Sequence, residues 1–390
     1  MQFNHIENWL SAVGFACSNS ENTDANYRVH FKKFLAFIGK NAEEIVEEYE
    51  GSSDRKFRRR YAQLVKAFLR HLQSQGYSSS TVAGAVATVK SFFKYSDLPL
   101  GFVPSFHATV EFPNRDITKE EILEILGQAS VRDRAFFTIM CQSGLRPGTI
   151  ANLKIEDIEN ILDKDTPIPC RIVVKEENTK GGFMDYFTFI GKDGVDALKA
   201  YLIGRNEQLT RDSYLFAKHG HNKPVSPGVL THTFRRIADR LKRKGLMDFK
   251  KEKKNFKVEN EGGHDKSFVS RSTIRLYNLR KWFRKQAGHA GPDFVNFWMG
   301  HTSALDVDLH YFSRDVEHHK KQYSEKALPY LRLYKATPSE TEKTIQSQAE
   351  EIAELKRERS ETEKRLTQLE KTLESMAKQL QSLTEEKRSV

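Results

Sequence analysis

Ser143-Gly144-Leu145-Arg146-Pro147 closes an apolar stretch with a glycine turn and delivers an arginine, and the rest of the chain is read outward from it. Asn152-Leu153-Lys154-Ile155-Glu156-Asp157-Ile158 follows directly. Next, Asn178-Thr179-Lys180-Gly181-Gly182 stands between two strand-like runs, Arg171-Ile172-Val173-Val174 and Tyr186-Phe187-Thr188-Phe189-Ile190, which predicts a hairpin with a lysine at its tip. Tyr277-Asn278-Leu279-Arg280 comes later, then Gly300-His301, then Tyr311 ten residues after that histidine. Two arginines, a histidine and a late tyrosine in this order suggest breaking and rejoining of a DNA phosphodiester through a phosphotyrosine. A phosphodiester gains negative charge during in-line attack, and guanidinium forks match its oxygens two at a time. A side-chain hydroxyl is the natural nucleophile for a covalent intermediate that conserves the bond energy.

Each motif alone is weak, since a Gly-Leu-Arg-Pro turn is common in ordinary proteins. The ordered set over about residues 20–335 resembles the tyrosine recombinase (phage-type integrase) family. That family reads as an arginine in a T/S-G-x-R turn, a hairpin lysine, a His-x-x-Arg box, a Gly-His box and a nucleophilic tyrosine. Arg146, Lys180, Arg280, His301 and Tyr311 match these in turn. Two positions depart from the pattern: Tyr277 stands where the box usually has histidine, and Thr149 where many members carry glutamate. A phenol is mostly protonated at neutral pH, so Tyr277 is a hydrogen-bond donor rather than a proton acceptor.

The resemblance implies that Tyr311 attacks phosphorus to give a 3′-phosphotyrosyl bond and a free 5′ hydroxyl. Arg146 and Arg280 would neutralise the non-bridging oxygens. Lys180 would protonate the departing 5′ oxygen, with Lys175 on the same strand as its rival. His301 would hydrogen-bond the phosphate or orient Tyr311, and Tyr277 would donate to the phosphate. Nothing in this scheme calls for a metal or nucleotide cofactor, and the sequence has neither a phosphate-binding glycine loop nor clustered metal ligands. Tyr323 and Tyr330 follow no Gly-His box at this distance, Phe297 and Trp298 read as core beneath the Gly-His turn, and His289 and His310 as surface or packing residues.

Composition agrees with a polyanionic partner. Lys plus Arg total 63 against 52 acidic residues, a net charge of +11. Residues 339–390 hold 10 basic and 12 acidic side chains, so the surplus belongs to the body of the chain. Cys17, Cys141 and Cys170 are isolated, which reads as reduced, mostly buried thiols of a cytosolic protein. No apolar run approaches the ~20 residues of a membrane span, and the N-terminus lacks the form of a signal peptide.

The expected fold is mainly α with a small β-sheet, arranged as a helical DNA-clamping domain (1–106), a linker (107–116), a catalytic domain (117–338) and a coiled coil (339–390). In the first, Tyr27, Phe31, Phe34, Leu35 and Ile38 keep helical spacing, as do Tyr61, Leu64, Val65, Phe68, Leu69 and Leu72. A helix should start after Asp54 and stop at Gly76, and another should cover about Thr81–Tyr95. Arg55-Lys56-Phe57-Arg58-Arg59-Arg60 reads as solvated charge or as phosphate contacts. Thr118-Lys119-Glu120-Glu121 is a capping box. Further helices are expected at about 193–207, 226–244 and 279–287, and residues 247–272 read as a flexible insertion. In the tail, Ile345, Ile352, Leu355, Leu366, Leu369, Leu373, Met376, Leu380 and Leu383 hold one heptad frame, interrupted by Gln348, Arg359 and Thr362.

The leading function is therefore a site-specific DNA recombinase, an integrase or transposon recombinase. Its expected partners are double-stranded DNA and further copies of itself, dimer to tetramer on DNA and joined through the tail, with room for accessory proteins and no membrane. It would work in the cytoplasm, on the nucleoid. A type IB topoisomerase shares the phosphotyrosine chemistry, and a non-cleaving DNA-binding relative is the reading from another class.

Overall fold

The computed structural model describes residues 4–16, 21–106, 108–109, 113–179, 184–205, 208–218, 221–255, 268–301 and 314–334, with isolated positions 356, 359 and 362. Lys180, Tyr311, Cys17 and His310 lie outside the described residues, as does nearly all of the proposed coiled coil. The fold is mainly helical with two small antiparallel sheets, and the chain divides into two compact units. One comprises Met1–Ile117, Thr179–Met184 and Ala238–Asn278; the other comprises Thr118–Asn178, Asp185–Ile237 and Leu279–Val390.

The first unit opens with five helices: α1 (His5–Ala16), α2 (Glu21–Ile38), α3 (Ala42–Glu50), α4 (Asp54–Ser74) and α5 (Ser79–Tyr95). Periodicity placed α4 and α5 to within two residues, and Gly76 ends the first with φ +78°. Their apolar stripes meet in an aromatic core. Trp9, Phe31 and Phe92 form one cluster, with Phe31 and Phe92 centroids 4.3 Å apart, and Phe57, Tyr61 and Phe93 form another. In the Arg55–Arg60 run of α4, Phe57 turns into the core while the five charged residues are exposed, and Arg60 pairs with Glu48.

Residues 256–267 lie outside the described residues, and the described parts of 247–272 depart from the expectation of an irregular insertion. They hold β3 (Lys251–Asn255) and β4 (Phe268–Ser272), with Lys251 opposite Ser272 and Asn255 opposite Phe268. Lys-Glu-Lys-Lys-Asn has no apolar alternation. A hairpin joined by its backbone ladder forms without one, so its side chains leave no period to read.

In the second unit, Thr118 caps α6 (Lys119–Gln128) with the reciprocal Glu121 bond that the sequence predicts. Then come α7 (Val131–Ser143), α8 (Pro147–Asn152), β1 (Cys170–Val174), β2 (Tyr186–Ile190), α9 (Lys192–Ile203) and α10 (Pro227–Arg243). β1 and β2 pair with Cys170 opposite Ile190 and Val174 opposite Tyr186, and every residue of β2 is buried. Two further helices, α11 (Tyr277–Ala287) and α12 (Pro292–Trp298), precede α13 (Val316–Gln322), which passes through a wide turn into α14 (Leu328–Leu331). Cys141 and Cys170 are buried free thiols. Among the described residues no helix is long and apolar enough to cross a membrane.

Candidate active site

Two glycine-capped helix ends carry the site. Helix α7 stops at Gly144, which takes φ +66° and returns its N–H to the Met140 carbonyl at 3.2 Å. A side chain there would strike Phe283 of α11, whose Cδ1 would lie 2.2 Å from an added Cβ. Only glycine meets both conditions. The next residues, Leu145 and Arg146, lead into α8, with Pro147 at its first position. Helix α12 ends in the same manner. Gly300 has φ +60° and donates to Phe297, and His301 donates its backbone N–H to Asn296 at 3.0 Å, a Schellman closure. The Gly-His box is thus a helix stop that aims a histidine.

Arg280, on α11, joins the two ends. Its side chain is fully buried; Nη1 donates to the Gly144 carbonyl and Nη2 to the Met299 carbonyl at 2.9 Å. These carbonyls sit at helix C-termini, where the backbone leaves acceptors over and where a cation is favoured. Nη2 also lies 2.9 Å from His301 Nε2. A guanidinium has no lone pair to offer, so Nε2 is the acceptor and Nδ1 carries the imidazole proton. Burial, then the charges of Arg280, Arg146 and Arg284, push the His301 pKa down to about 4. His301 is neutral near pH 7 and presents an N–H donor at Nδ1.

Three of the six sequence-derived site residues are thereby brought together. Arg146 is half-buried, takes part in none of the ion pairs among the described residues, and lies near enough for its charge to bear on His301. Tyr277 opens α11 and is 45% exposed, unlike the enclosed Arg280 one turn later. Lys180 and Tyr311 fall outside the described residues. The rival Lys175 is held by Glu156 and lies 3.6 Å from Asp157, with its pKa raised first by the Glu156 bond. Of the rival tyrosines, Tyr323 is fully buried and donates to the Gln142 carbonyl at 2.7 Å, while Tyr330 stacks on His289. Phe297 and Trp298 are core as expected, and the Trp298 indole donates to buried His319 at 3.1 Å.

The structure also gives roles that motif reading does not. Thr149, the departure from the usual glutamate, donates its hydroxyl to the Asn178 carbonyl at 3.1 Å, tying α8 to the residue two before Lys180. Gln142 accepts from the N–H groups of Gly191 and Gly194 at 3.0 and 2.9 Å, fixing the start of α9. A buried glutamine inside an apolar helix is the signal that marks such a role.

Two family profiles and several known proteins are similar to this chain. The profile of the phage integrase family matches residues 115–254, and that of the phage integrase N-terminal SAM-like domain matches residues 6–96. Tyrosine recombinase XerC of Herpetosiphon aurantiacus is 24% identical over 257 residues, covering 59% of this chain and 79% of that protein. Tyrosine recombinase XerA of Pyrococcus furiosus is 31% identical over 98 residues, 23% of this chain and 33% of that one. Among solved structures, the Tn1549 transposon integrase in complex with transposon right end DNA aligns with a TM-score of 0.49 at 13% identity, over 83% of this chain and 99% of that one. The catalytic-family match contains Arg146 and ends before Arg280, His301 and Tyr311, which stand on the ordered sequence motifs and, for the two described residues, on geometry. With both domain profiles matched in order over more than half its length, the chain belongs to the phage integrase family of tyrosine recombinases.

Proposed function

We propose that this protein is a site-specific DNA recombinase, acting in an integrase or transposon setting, that cleaves and rejoins DNA through a 3′-phosphotyrosyl intermediate. The observation that carries this reading is Arg280 bridging two helix ends beside His301, with Arg146 near enough for its charge to act on the same imidazole. Carbonyl dipoles and a neutral imidazole hold the Arg280 guanidinium without cancelling its charge, which suits a site for a phosphate that becomes more anionic as it reacts. In the proposed step the Tyr311 oxygen bonds to phosphorus as the bond to the 5′ oxygen breaks. The phenol loses its proton, Lys180 supplies one to the departing oxygen, and the proton count is unchanged. Arg146 and Arg280 stabilise the non-bridging oxygens, His301 donates from Nδ1 to the phosphate, and Tyr277 is a further phosphate donor.

Residues 1–106 would close around double-stranded DNA, residues 117–338 would perform the chemistry, and the heptads of 339–390 would gather protomers into the dimers and tetramers that exchange between two duplexes requires. Such work belongs in the cytoplasm, on the nucleoid. The test uses nicked suicide duplexes built from the DNA flanking the gene. The intact protein should leave a denaturant-resistant adduct and Tyr311→Phe none, while binding the duplex nearly as well. An adduct with Tyr311→Phe removes the nucleophile assignment. Recombination between two such sites, rather than relaxation of one supercoiled circle, separates this reading from a topoisomerase.

A further inference from the structure

Tyr186, the first residue of β2, has no part in the scheme above, yet it lies against its centre. The side chain is 6% exposed, and its hydroxyl is buried without a hydrogen-bond partner among the described residues. The ring packs against the Gly-His turn. A Cβ added at Gly300 would lie 2.5 Å from the Tyr186 Cζ and 2.8 Å from its Oη, so the turn needs glycine here for space as well as for its positive φ. The hydroxyl therefore sits beside the residue that precedes His301. Arg146 and Arg280 are close enough for both charges to act on the phenol. Burial outweighs them and pushes its pKa up to about 12, so the group keeps its proton.

A buried hydroxyl left without a partner costs about 1–3 kcal/mol. Folded proteins satisfy nearly all such groups, and an exception flanked by two guanidiniums and an imidazole points to an acceptor that arrives with a ligand. The acceptor should be anionic, because the two charges that act on the phenol, those of Arg280 and Arg146, are both positive. It must also tolerate a neutral donor, because this phenol does not ionise. We propose that the Tyr186 hydroxyl donates a hydrogen bond to a non-bridging oxygen of the scissile phosphate, as an additional catalytic residue beside Arg146, Arg280 and His301. A neutral donor adds to an arginine-built site without adding to the repulsion among its cations. The inference rests on the recombinase reading.

The test is Tyr186→Phe in the full chain, which keeps the ring that fills the space at Gly300 and removes only the hydroxyl. Its melting temperature should match or exceed that of the intact protein, since an unsatisfied buried group is lost. Single-turnover cleavage of the nicked suicide duplex should fall about a hundredfold, the effect of one oxyanion donor. The same duplex is then prepared with each of the two methylphosphonate diastereomers at the scissile position, each lacking one non-bridging oxygen. On one diastereomer the intact protein and Tyr186→Phe should cleave at equal rates, because the oxygen that the hydroxyl contacts is gone. Cleavage of the ordinary duplex by Tyr186→Phe at the full rate overturns the proposal. So does an equal deficit on the phosphate and both methylphosphonates, or a deficit accompanied by a lowered melting temperature, since either shows the hydroxyl acting through the fold. If the intact protein forms no adduct on any flanking duplex, the recombinase reading itself fails and the inference falls with it.

Discussion

The five-helix bundle and the active-site region hold themselves together by different means. In the bundle, Trp9, Phe31, Phe57, Phe68, Phe92 and Phe93 fill the interior, and shape and volume dominate its core. In the active-site region the backbone ends of helices are joined by buried polar side chains: Arg280 to Gly144 and Met299, Tyr323 to Gln142, Gln142 to Gly191 and Gly194. Apolar packing tolerates small shifts in position. A polar bond between two turns fixes them relative to one another, which is what phosphate chemistry asks of Arg146 and His301. Substitutions in the bundle should therefore be read as stability alone, and substitutions among the polar stitches as rate and stability together.

The largest effect should come from Arg280. Arg280→Ala should reduce cleavage of the suicide duplex by about a thousandfold through loss of a preorganised charge. It should also lower the melting temperature, because the Gly144 and Met299 carbonyls lose their donor. Arg146→Ala should cut the rate comparably with little change in melting, since Arg146 is half-buried and outside the ion pairs among the described residues. A loss under tenfold for either removes it from the phosphate site. Equal melting of the two variants would mean that Arg280 does not tie the two turns together as described.

In the bundle, Phe92→Ala should destabilise by about 3–5 kcal/mol, the usual range for deleting a buried aromatic ring. Phe92 is fully buried and its ring centroid lies 4.3 Å from Phe31 and 5.5 Å from Trp9. Urea titration gives the value, and a loss below about 1 kcal/mol would mean that the ring is not held as described. A smaller loss is expected for Gln142→Leu, which conserves volume but strands the N–H of Gly191, while the N–H of Gly194 keeps the Gly191 carbonyl at 3.1 Å. The scale of one such desolvated donor is about 1–3 kcal/mol. The cleavage rate should fall with it.

How much of this the sequence showed depends on the kind of contact. The stripes of α4 and α5 were legible because amphipathic helices write their buried face at a fixed period, as Tyr61, Val65, Phe68 and Leu72 do. Gly144 and Gly300 were legible as turns, and Arg280 as a motif residue. That Arg280 donates to both turns was not, because partners 136 positions apart leave no local pattern. β3 and β4 were missed since their residues carry no apolar alternation for a pattern to pick up. Tyr186 was read only as part of a strand, for nothing in Tyr-Phe-Thr-Phe-Ile separates a hydroxyl facing a site from one facing solvent.

Lys175 and Lys180 provide a finer test of which charge is held and which is used. Lys175 is occupied by Glu156 and Asp157, so Lys175→Met should change cleavage by less than about tenfold, the loss of a half-exposed ion pair. Lys180→Ala should slow cleavage, and a 5′-bridging phosphorothiolate should restore it, because sulfur leaves without a general acid. Rescue of Lys175→Met instead would move the acid to the other end of the hairpin.

The smallest effect concerns the proton that His301 does not take. Its pKa falls from an ordinary 6.5 to about 4 in the folded protein, through burial first and the neighbouring arginines second. Between those two values the unfolded chain binds a proton that the folded chain refuses. Stability from this group is therefore complete above about pH 6.5 and drains away as the pH falls toward about 4. His301→Asn keeps an acceptor for Arg280 and has nothing to titrate. Melting temperatures of the two proteins should run parallel above pH 7 and draw together, or cross, as the pH drops through that window. Over the same window the cleavage rate of the intact protein should show no inflection assignable to His301, which stays neutral until about pH 4. Parallel melting curves down to that pH would mean that the imidazole is not enclosed with Arg280. The neutral Nδ1–H donor assigned to it, and with it the contrast between stitched and packed regions at this turn, would then have to be withdrawn.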